Sequence, residues 1–339
     1  MRSARSRGLP TVALVAPDSF KGTFTAQAVA GALQRGLAAS GQPAESCPLA
    51  DGGEGTLAAL AGPLGLELRQ ALVSDPLGRP VRAVFGTGAD GVAVVEVAAA
   101  SGLGLVAAAE RDALAASSRG TGELIATALA AGARTVYVAA GGSATTDGGV
   151  GALAALADSG GVGEARLVVL CDVRTPFQLA AEVFAPQKGA SPGEVKALSR
   201  RLEELAATLP RDPRGVPMSG AAGGLAGGLW ARYGAQLVAG AGFVLAAAGY
   251  DTRMRAARAV ITGEGRLDRQ SLAGKLVSEV ATRARQAGVP CHAVVGRNAA
   301  SDFDLRVLDL QLVLEASTLT EIESAGAQIG ARMVEESGG

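Results

Sequence analysis

The sequence is poor in several features that common functional classes require. Only one histidine, His292, occurs in 339 residues, so a Ser-His-Asp triad and most zinc sites lack their essential imidazole. Its setting, PCHAVVG, predicts a buried strand. Aromatic residues make up 3% of the chain and the formal net charge is -1, which leaves few rings for stacking on bases and no field that attracts polyanions. We therefore expect neither a nucleic-acid nor a membrane partner.

Cysteine and long apolar runs are scarce as well. The three cysteines, Cys47, Cys171 and Cys291, lie far apart and form no CxxC pair, which is typical of buried thiols in a reduced, cytoplasmic protein. The longest uncharged stretch, residues 234–250, is interrupted by glycines and falls short of the ~18 apolar residues of a membrane span. No membrane span is predicted.

What the chain does contain is an alternation of strand-like and helix-like segments. Residues 11–17 form a compact apolar run, and residues 25–41 follow with helical spacing and a terminal glycine. The alternation recurs: a helical pattern at 120–132 leads into the strand-like TVYVAA, and a strand, a helix and a second strand follow one another within residues 258–296. Such alternation predicts an α/β protein with largely parallel sheet. Capping-box patterns at Ser191–Glu194 and Thr320–Glu323 mark two further helix starts.

A change in composition indicates two domains. Residues 75–97 are typical of a β-hairpin, and the segment GAAGGLAGGLWARYGAQ is dense in glycine. At about 100 to 200 residues per domain, the length also favours two domains. We expect the middle of the chain, residues 74–256, to be an inserted domain.

The most informative motif is GGSATTDGG, residues 141–149, directly after the strand-like RTVYVAA. Glycines after a strand let backbone N–H groups converge on an anion, and a helix starting near Val150 adds its positive end. The hydroxyls of Ser143, Thr145 and Thr146 can donate to phosphate oxygens. Asp147 has two interpretations: it holds a metal or accepts a proton, or it merely caps the helix.

Two other strand exits have the same character. APDSFKG carries Asp18, Ser19 and Lys21, and ADGGEG carries Asp51 and Glu54. Because the carboxyl ends of parallel strands form the ligand-binding side of α/β sheets, these residues are candidate site residues.

The segment ITGEGRLDRQSLAGK, residues 261–275, adds two carboxylates and a lysine. Glu264 and Asp268 are candidate Mg²⁺ ligands, and Lys275 is a candidate phosphate partner. The segment is not a Walker A loop, because the first glycine and the terminal Ser/Thr are missing. Asp172 in LCDV and Lys188 in PQKGAS are also candidate site residues, with helix capping or surface exposure as the alternative.

A second motif points to another class of enzyme. Gly102-Leu103-Gly104 with Ala107 loosely matches a dinucleotide-binding fingerprint, which would indicate an oxidoreductase. The expected acidic residue about 20 positions later is Glu123, which lies in a helical pattern. The oxidoreductase remains an alternative at this point.

Nine motifs together resemble one family. APDSFKG, ADGGEG, EVAAASGL, GTGELI, GGSATTDGG, CDV, FAPQKGA, GAAGGLAGGL and ITGEGRLD with the following GK occur in the order seen in bacterial glycerate kinases of the type that yields 2-phosphoglycerate. The resemblance extends from Thr11 to about Gly296. Thr146 departs from it, because the family usually has asparagine at this position.

The resemblance implies phosphorylation of D-glycerate by ATP with Mg²⁺. It also implies a Rossmann-like, flavodoxin-like parallel-sheet domain built from residues 1–73 and 257–339, an inserted α/β domain of residues 74–256, and an active site in the cleft between them. A homodimer and a family member that binds small molecules without catalysis both remain open.

We assign provisional roles on this basis. Gly141, Gly142, Ser143 and Thr145 would line a phosphate subsite. Lys21 or Lys188 would offset the charge of the carboxylate or of the transferring phosphoryl group. Asp172 or Asp147 would accept the proton of the attacking hydroxyl, and the carboxylates would hold Mg²⁺.

Overall fold

The computed structural model describes residues 11–269 and 275–338 and divides into two compact units. The first unit contains the residues up to 50 and from 245 onward, and the second contains residues 51–244. Residues 67–74 belong to the sheet of the second unit, because they pair with residues 80–87. The functional division into domains stays a prediction.

The helices and strands follow in chain order. The early part of the chain contributes β1 (Ala13–Val15), α1 (Ala26–Ala39) and β2 (Ala44–Ser46). The middle contributes α2 (Thr56–Ala61), β3 (Glu67–Ser74), β4 (Pro80–Gly88), β5 (Val92–Glu96), α3 (Val97–Ser101), α4 (Arg119–Ala130), β6 (Thr135–Ala139), α5 (Val150–Asp158), β7 (Arg166–Cys171), α6 (Ala180–Phe184), α7 (Pro192–Thr208), α8 (Leu225–Tyr233), β8 (Gln236–Ala239) and α9 (Gly240–Ala247), within which the two units meet in sequence. The last part contributes α10 (Tyr250–Arg255), β9 (Val260–Glu264), α11 (Leu276–Ala287), β10 (Cys291–Val295), α12 (Asp302–Leu308), β11 (Leu310–Glu315) and α13 (Leu319–Gly338).

The first unit is built on a parallel sheet with the strand order β11-β10-β9-β1-β2. Strands β1, β9 and β10 are buried along their whole length, as expected for parallel strands covered on both faces. His292 lies in β10 and is 5% exposed, so the prediction of a core histidine is confirmed. Cys47, Cys171 and Cys291 are buried free thiols, also as predicted.

Helices α1 and α13 pack against each other at very short range in this unit. Glycines make this possible: a Cβ on Gly36 would lie 1.9 Å from Glu323 O, and one on Gly326 would lie 2.7 Å from Leu33 O. Ile322 and Ile329 fill the remaining space beneath α1 as fully buried side chains. The two backbones can therefore approach each other closely, because glycine places no side chain between them at these crossing points.

The second unit is built on a mixed sheet with the order β3-β4-β5-β6-β7-β8. The first three strands pair antiparallel, which confirms the hairpin predicted for residues 75–97. The last four pair parallel. Parallel pairing with helical crossovers makes β5, β6 and β7 end side by side, with Glu96 opposite Ala139 in the register. We refer to the ends of β5 to β8 as the carboxyl edge.

A small apolar cluster supports the segment between α6 and α7. Phe177 is fully buried and packs with Ala185, Leu198 and Leu202. The 3₁₀ turn Pro186–Lys188 lies between these contacts, so the cluster fixes the place of the lysine at its end.

These observations confirm the α/β fold class. The capping box at Ser191 and Glu194 is present. The one predicted at Thr320–Glu323 is two residues too late, because Glu321 accepts the Thr318 N–H (3.2 Å) and the Thr318 hydroxyl accepts the Glu321 N–H (3.2 Å). Across the described part of the chain, the helices are all too short or too polar to traverse a bilayer.

The contact between α1 and α13 predicts opposite effects for two substitutions in one helix. Gly36→Ala should lower the free energy of unfolding by about 1 to 3 kcal/mol, because the methyl group meets backbone that cannot move aside. Gly31→Ala should raise it by about 1 kcal/mol, since only the mobile end of Arg35 lies within 4 Å and alanine favours the helix. Urea denaturation of both variants measures this, and equal effects would contradict the tight contact.

Candidate active site

The 141–149 loop leaves the carboxyl edge between two other strand ends. It follows β6, and Asp172 follows the neighbouring β7. A Cβ on Gly141 would lie 3.3 Å from the Asp172 carboxylate and only 2.5 Å from Gly53 Cα. The structure thus brings together the 141–149 loop, Asp172 and the 51–55 loop, as the sequence predicted for residues at strand exits.

The backbone of the 141–149 loop leaves donors uncommitted. Leu103 N–H donates to Gly142 O (2.9 Å) and Ala144 N–H to Ser101 O (2.9 Å), which anchors the loop on both sides. In residues 11–269 and 275–338, the N–H groups of Gly141, Gly142 and Ser143 have no acceptor. Gly142 has a φ of 74°, a conformation that favours glycine. Consecutive free amides of this kind form an anion-binding concavity.

Lys188 lies beneath the loop and is 3% exposed. Its ammonium donates to Ser143 Oγ (3.0 Å) and to Thr145 O (2.5 Å). An ammonium group has three donors, and the described part of the chain occupies two of them. Burial lowers the pKa of Lys188 to about 8, although the negative charges of Asp147 and Asp172 act in the opposite direction. Burial therefore makes the charged form of Lys188 energetically unfavourable, and the nearby carboxylates of Asp147 and Asp172 partly stabilise it.

Two hydroxyl groups of the loop, those of Thr145 and Thr146, are further polar groups without a hydrogen-bond partner among the described residues. Thr145 is fully buried and Thr146 is 1% exposed. Neither hydroxyl has a hydrogen-bond partner among the residues that the structure describes. Buried hydroxyls are normally bonded, so their condition points to a polar ligand or to water at the loop.

Asp147 is fully engaged with the protein. Its carboxylate accepts from Ser118 N (2.9 Å), Ser118 Oγ (2.7 Å), Gly149 N (3.0 Å) and Gly151 N (3.1 Å). These bonds close the first turn of α5 and tie it to the start of α4. The geometry favours the capping interpretation of Asp147 over that of a proton acceptor.

Residues 222–224 form a strained segment that packs against the 141–149 loop. Ala222 has a φ of 51°, and Gly223 and Gly224 also have positive φ, so three successive residues are left-handed. Gly223 lies so close that an added Cβ would be 1.9 Å from Thr145 O, and its carbonyl accepts the Gly148 N–H (3.0 Å). Left-handed backbone at a buried alanine costs about 1 to 3 kcal/mol, and such strain is concentrated at functional sites.

The 51–55 loop is held by backbone contacts as well. Asp51 is buried and accepts the Gly53 N–H (3.1 Å), while Glu54 is exposed. A Cβ on Gly52 would meet Gly240 Cα at 2.8 Å and Leu170 O at 3.2 Å. Glu96 is a further residue of this region that was not among the sequence candidates; it ends β5 and accepts the Leu57 N–H (2.7 Å). Its signal was present in the motif EVAAASGL, an acidic residue at a strand end.

The remaining candidates lie in the first unit, at the ends of β1 and β9. Asp18 is buried and accepts the Ser19 N–H (2.7 Å). An added Cβ on Gly265 would lie 3.3 Å from Lys21 N, so the two strand exits are in contact. The side chain of Lys21 is exposed.

Glu264 and Asp268 are the carboxylates that follow β9. Glu264 is 9% exposed, and Asp268 pairs with Arg266 (3.1 Å). In the described ranges, no group of three or more His, Cys, Asp or Glu residues is arranged to hold a metal ion. Mg²⁺ commonly takes one or two carboxylates and completes its shell with nucleotide phosphates and water, and these two residues supply that kind of oxygen donor.

Lys275 begins α11 as its N-cap residue and is half-buried. The stretch before it, residues 270–274, lies outside the described residues, and so does the glycine that the predicted GK pair requires.

The dinucleotide-binding alternative receives no support. Gly102 follows the helix α3 and not a strand. Glu123 lies in α4, where its carboxylate accepts the Ser74 N–H (2.7 Å). A dinucleotide fingerprint requires a glycine turn between a strand and a helix, which these residues do not form.

Fold and site together define an α/β protein with an anion-binding loop and a buried lysine at the ends of parallel strands. Comparison with known proteins gives the family. A match to the Glycerate kinase family covers residues 13–159 and 160–328. The chain belongs to this family, and it is an enzyme, a kinase that transfers phosphate to an alcohol group.

Individual relatives agree with this assignment. The glycerate 2-kinase of Escherichia coli (strain K12) is 38% identical, with 84% of each chain covered. The glycerate kinase of Haemophilus influenzae is 40% identical, with 84% of this chain and 85% of the relative covered. A crystal structure from Salmonella typhimurium LT2, provisionally assigned as glycerate kinase 2, superposes with a TM-score of 0.78 at 31% identity and covers 96% of this chain and 99% of that one.

Burial of Lys188 predicts a specific pH dependence of stability. Its pKa is about 8 in the folded protein and 10.5 when unperturbed, so the unfolded chain holds this proton more tightly. Stability should therefore rise as the pH increases from about 8 to about 10.5, by a total on the order of 3 kcal/mol. Lys188→Met should remove this rise, and Lys196→Met, at an exposed site on α7, should retain it.

Urea denaturation of the three proteins at pH 7, 8, 9 and 10 measures the difference. Parallel pH profiles for wild type and Lys188→Met would show that the lysine is not desolvated as its position indicates.

Proposed function

We propose that the protein catalyses the ATP-dependent phosphorylation of D-glycerate to 2-phosphoglycerate. The observation that carries the proposal is the buried Lys188 beneath a loop whose amides have no described acceptor. The substrate is inferred from membership of the glycerate kinase family, and the position of the new phosphate from the Escherichia coli relative described as a glycerate 2-kinase.

The 141–149 loop is suited to a phosphoryl group. The free amides of Gly141, Gly142 and Ser143 would donate to phosphate oxygens, and the Thr145 hydroxyl is available as a further donor. Lys188 would direct its third N–H to the transferring group. Such donors, fixed before the reaction in a site with little water, stabilise charge that develops on the equatorial oxygens of the phosphoryl group.

Asp172 is the proposed proton acceptor. Asp147 is the weaker candidate because its oxygens already accept from Ser118, Gly149 and Gly151. Asp172 lies at the end of β7 and approaches the Gly141 backbone. In the proposed step, the C2 hydroxyl oxygen forms a bond to the γ phosphorus while the bond from that phosphorus to the leaving oxygen of ADP breaks. The hydroxyl proton passes to the Asp172 carboxylate.

We propose separate roles for the candidate residues of the first unit. Glu264 and Asp268 would hold Mg²⁺, which offsets the negative charge of the nucleotide phosphates when bound. Lys21 and Lys275 would bind phosphate or the glycerate carboxylate, and Asp18 and Ser19 would orient substrate hydroxyls. Asp51 and Glu54 have the same proposed role in the 51–55 loop. Dependence on ATP and three buried free thiols favour a cytoplasmic location.

The direct test is ADP release with ATP and Mg²⁺ in the presence of D-glycerate, L-glycerate or no acceptor. The product is then offered to enolase, which consumes 2-phosphoglycerate directly. We expect release that depends on D-glycerate and a product that enolase accepts. If the protein is folded but releases no more ADP with glycerate than without it, the proposed activity is overturned. If enolase does not convert the product, the proposed position of the phosphate is overturned.

The same assay ranks the proposed residues. Lys188→Ala should lower kcat by about 10³-fold, because positioning and charge stabilisation supply most of the rate in phosphoryl transfer. Asp172→Asn should cost less, about 10²-fold, the lower end for a general base. Asp147→Asn should chiefly lower stability, by about 1 to 3 kcal/mol.

Circular dichroism and thermal unfolding of each variant separate lost turnover from lost fold. A greater loss of kcat for Asp172→Asn than for Lys188→Ala would reverse the assignment, and a large loss of kcat in stably folded Asp147→Asn would return Asp147 to the chemistry.

A further inference from the structure

Glu96 makes a contact for which the phosphate chemistry does not account. It ends β5 at the carboxyl edge, next to the strand that leads into the 141–149 loop. Its carboxylate accepts the Leu57 N–H at 2.7 Å, and the amides of Gly55 and Thr56 also face it. A side chain from one strand thus binds the first turn of a helix from a distant part of the chain.

Helix α2 requires such a partner. Its N-cap is Gly55, with a φ of 93° and no side chain to accept a hydrogen bond. The first N–H groups of a helix have no partner within the helix and must be satisfied from elsewhere. Burial and the charge of Glu54 raise the pKa of Glu96, while the three amides lower it. The pKa of Glu96 is raised overall, because burial outweighs the amides, which stabilise the carboxylate only in part.

The segment that Glu96 holds leads directly to the candidate site. Helix α2 begins at Thr56, immediately after the 51–55 loop. Within that loop Gly53 is in backbone contact with Gly141, since a Cβ on Gly141 would lie 2.5 Å from Gly53 Cα. A shift of the 51–55 loop would therefore displace the first residues of the 141–149 loop.

We infer that Glu96 is a positioning residue, which holds the start of α2 so that the 51–55 loop fixes the place of the 141–149 loop. It acts through backbone amides and touches neither substrate nor phosphate. The effect on turnover rests on the proposed glycerate kinase activity, whereas the effect on the loops does not. A displacement of about 1 Å in a catalytic group can cost about 10²-fold in rate, so a small loss of order is sufficient.

The chain offers a matched control. Glu123 in α4 also accepts a backbone N–H from another element of the second unit, that of Ser74 at 2.7 Å. Its amide partner Ser74 ends β3, two strands away from β5, and is followed by the turn into β4 and by neither loop. Glu96→Gln and Glu123→Gln each replace a carboxylate that accepts a backbone N–H with an amide of the same size. Glu123 also accepts from the Ser74 hydroxyl (3.2 Å) and pairs with Arg119 (3.0 Å), so its substitution removes at least as many contacts.

The first measurement is steady-state kinetics with D-glycerate and ATP. Glu96→Gln should lower kcat by about 10- to 100-fold with KM changed less, and Glu123→Gln should remain within about 2-fold of wild type. Both should unfold at lower urea concentration than wild type. Equal kcat values for the two variants, with stability lowered in both, would mean that Glu96 is only a structural cap and would overturn the inference.

The second measurement needs no substrate. Hydrogen exchange of the Gly53, Ala140 and Ala144 amides, which all have acceptors, should be faster in Glu96→Gln than in Glu123→Gln. In Glu123→Gln the Ser74 amide should be the one that exchanges faster. Unchanged exchange at Ala140 and Ala144 in Glu96→Gln would overturn the inference.

The two measurements separate the proposals. A wild-type protein that does not phosphorylate glycerate would overturn the proposed function alone, and exchange at Ala140 and Ala144 would then decide the role of Glu96. An active wild type with equal variants would overturn the positioning role alone.

Discussion

The contact between the backbones of Gly53 and Gly141 is the constraint on which the candidate site depends. With 2.5 Å between Gly53 Cα and the place of a Cβ on Gly141, no other residue fits at position 141. Gly52 makes a similar approach to Gly240. Three connections of the second unit therefore meet through their main chains, without side chains between them. Loops held in this way keep their amides at fixed positions, which is the property that an anion-binding site needs before the anion arrives.

Charged groups around this contact are compensated in different ways. Asp147 has four donors from the protein, and Glu96 is bound by the amides that begin α2. Lys188 has two acceptors in the described chain, which leaves one of its donors for a ligand. Complete compensation is typical of a structural role and incomplete compensation of a role in binding. This difference, more than the kind of residue, distinguishes the supporting groups from the group proposed to act on phosphate.

The sequence predicted the elements and the loops better than the roles of single residues. The alternation of strands and helices, the hairpin and the box at Ser191 are local patterns, and the structure contains them. Local patterns mark Asp147 and Glu96 as acidic residues at strand exits, but the choice between their roles depends on donors distant in sequence, at Ser118 and Leu57. The misplaced box near Thr318 arose because two overlapping Thr-x-x-Glu patterns fit the same helix start. The unit boundary near residue 50 depends on which sheet β3 joins, and the hydrophobic pattern of β3 alone does not show which sheet that is.

The glycine contact between α1 and α13 also determines the order in which the chain acquires its structure during synthesis. Helix α1 precedes residues 51–244 in the chain and α13 follows them, so α1 is synthesised well before its partner. Residues 51–244 contain all strands of their own sheet and can fold while the end of the chain is still being made, since domains generally fold as units. Helix α1 therefore waits for α13, and the unit that carries the 141–149 loop can be complete before the unit that contains these two helices.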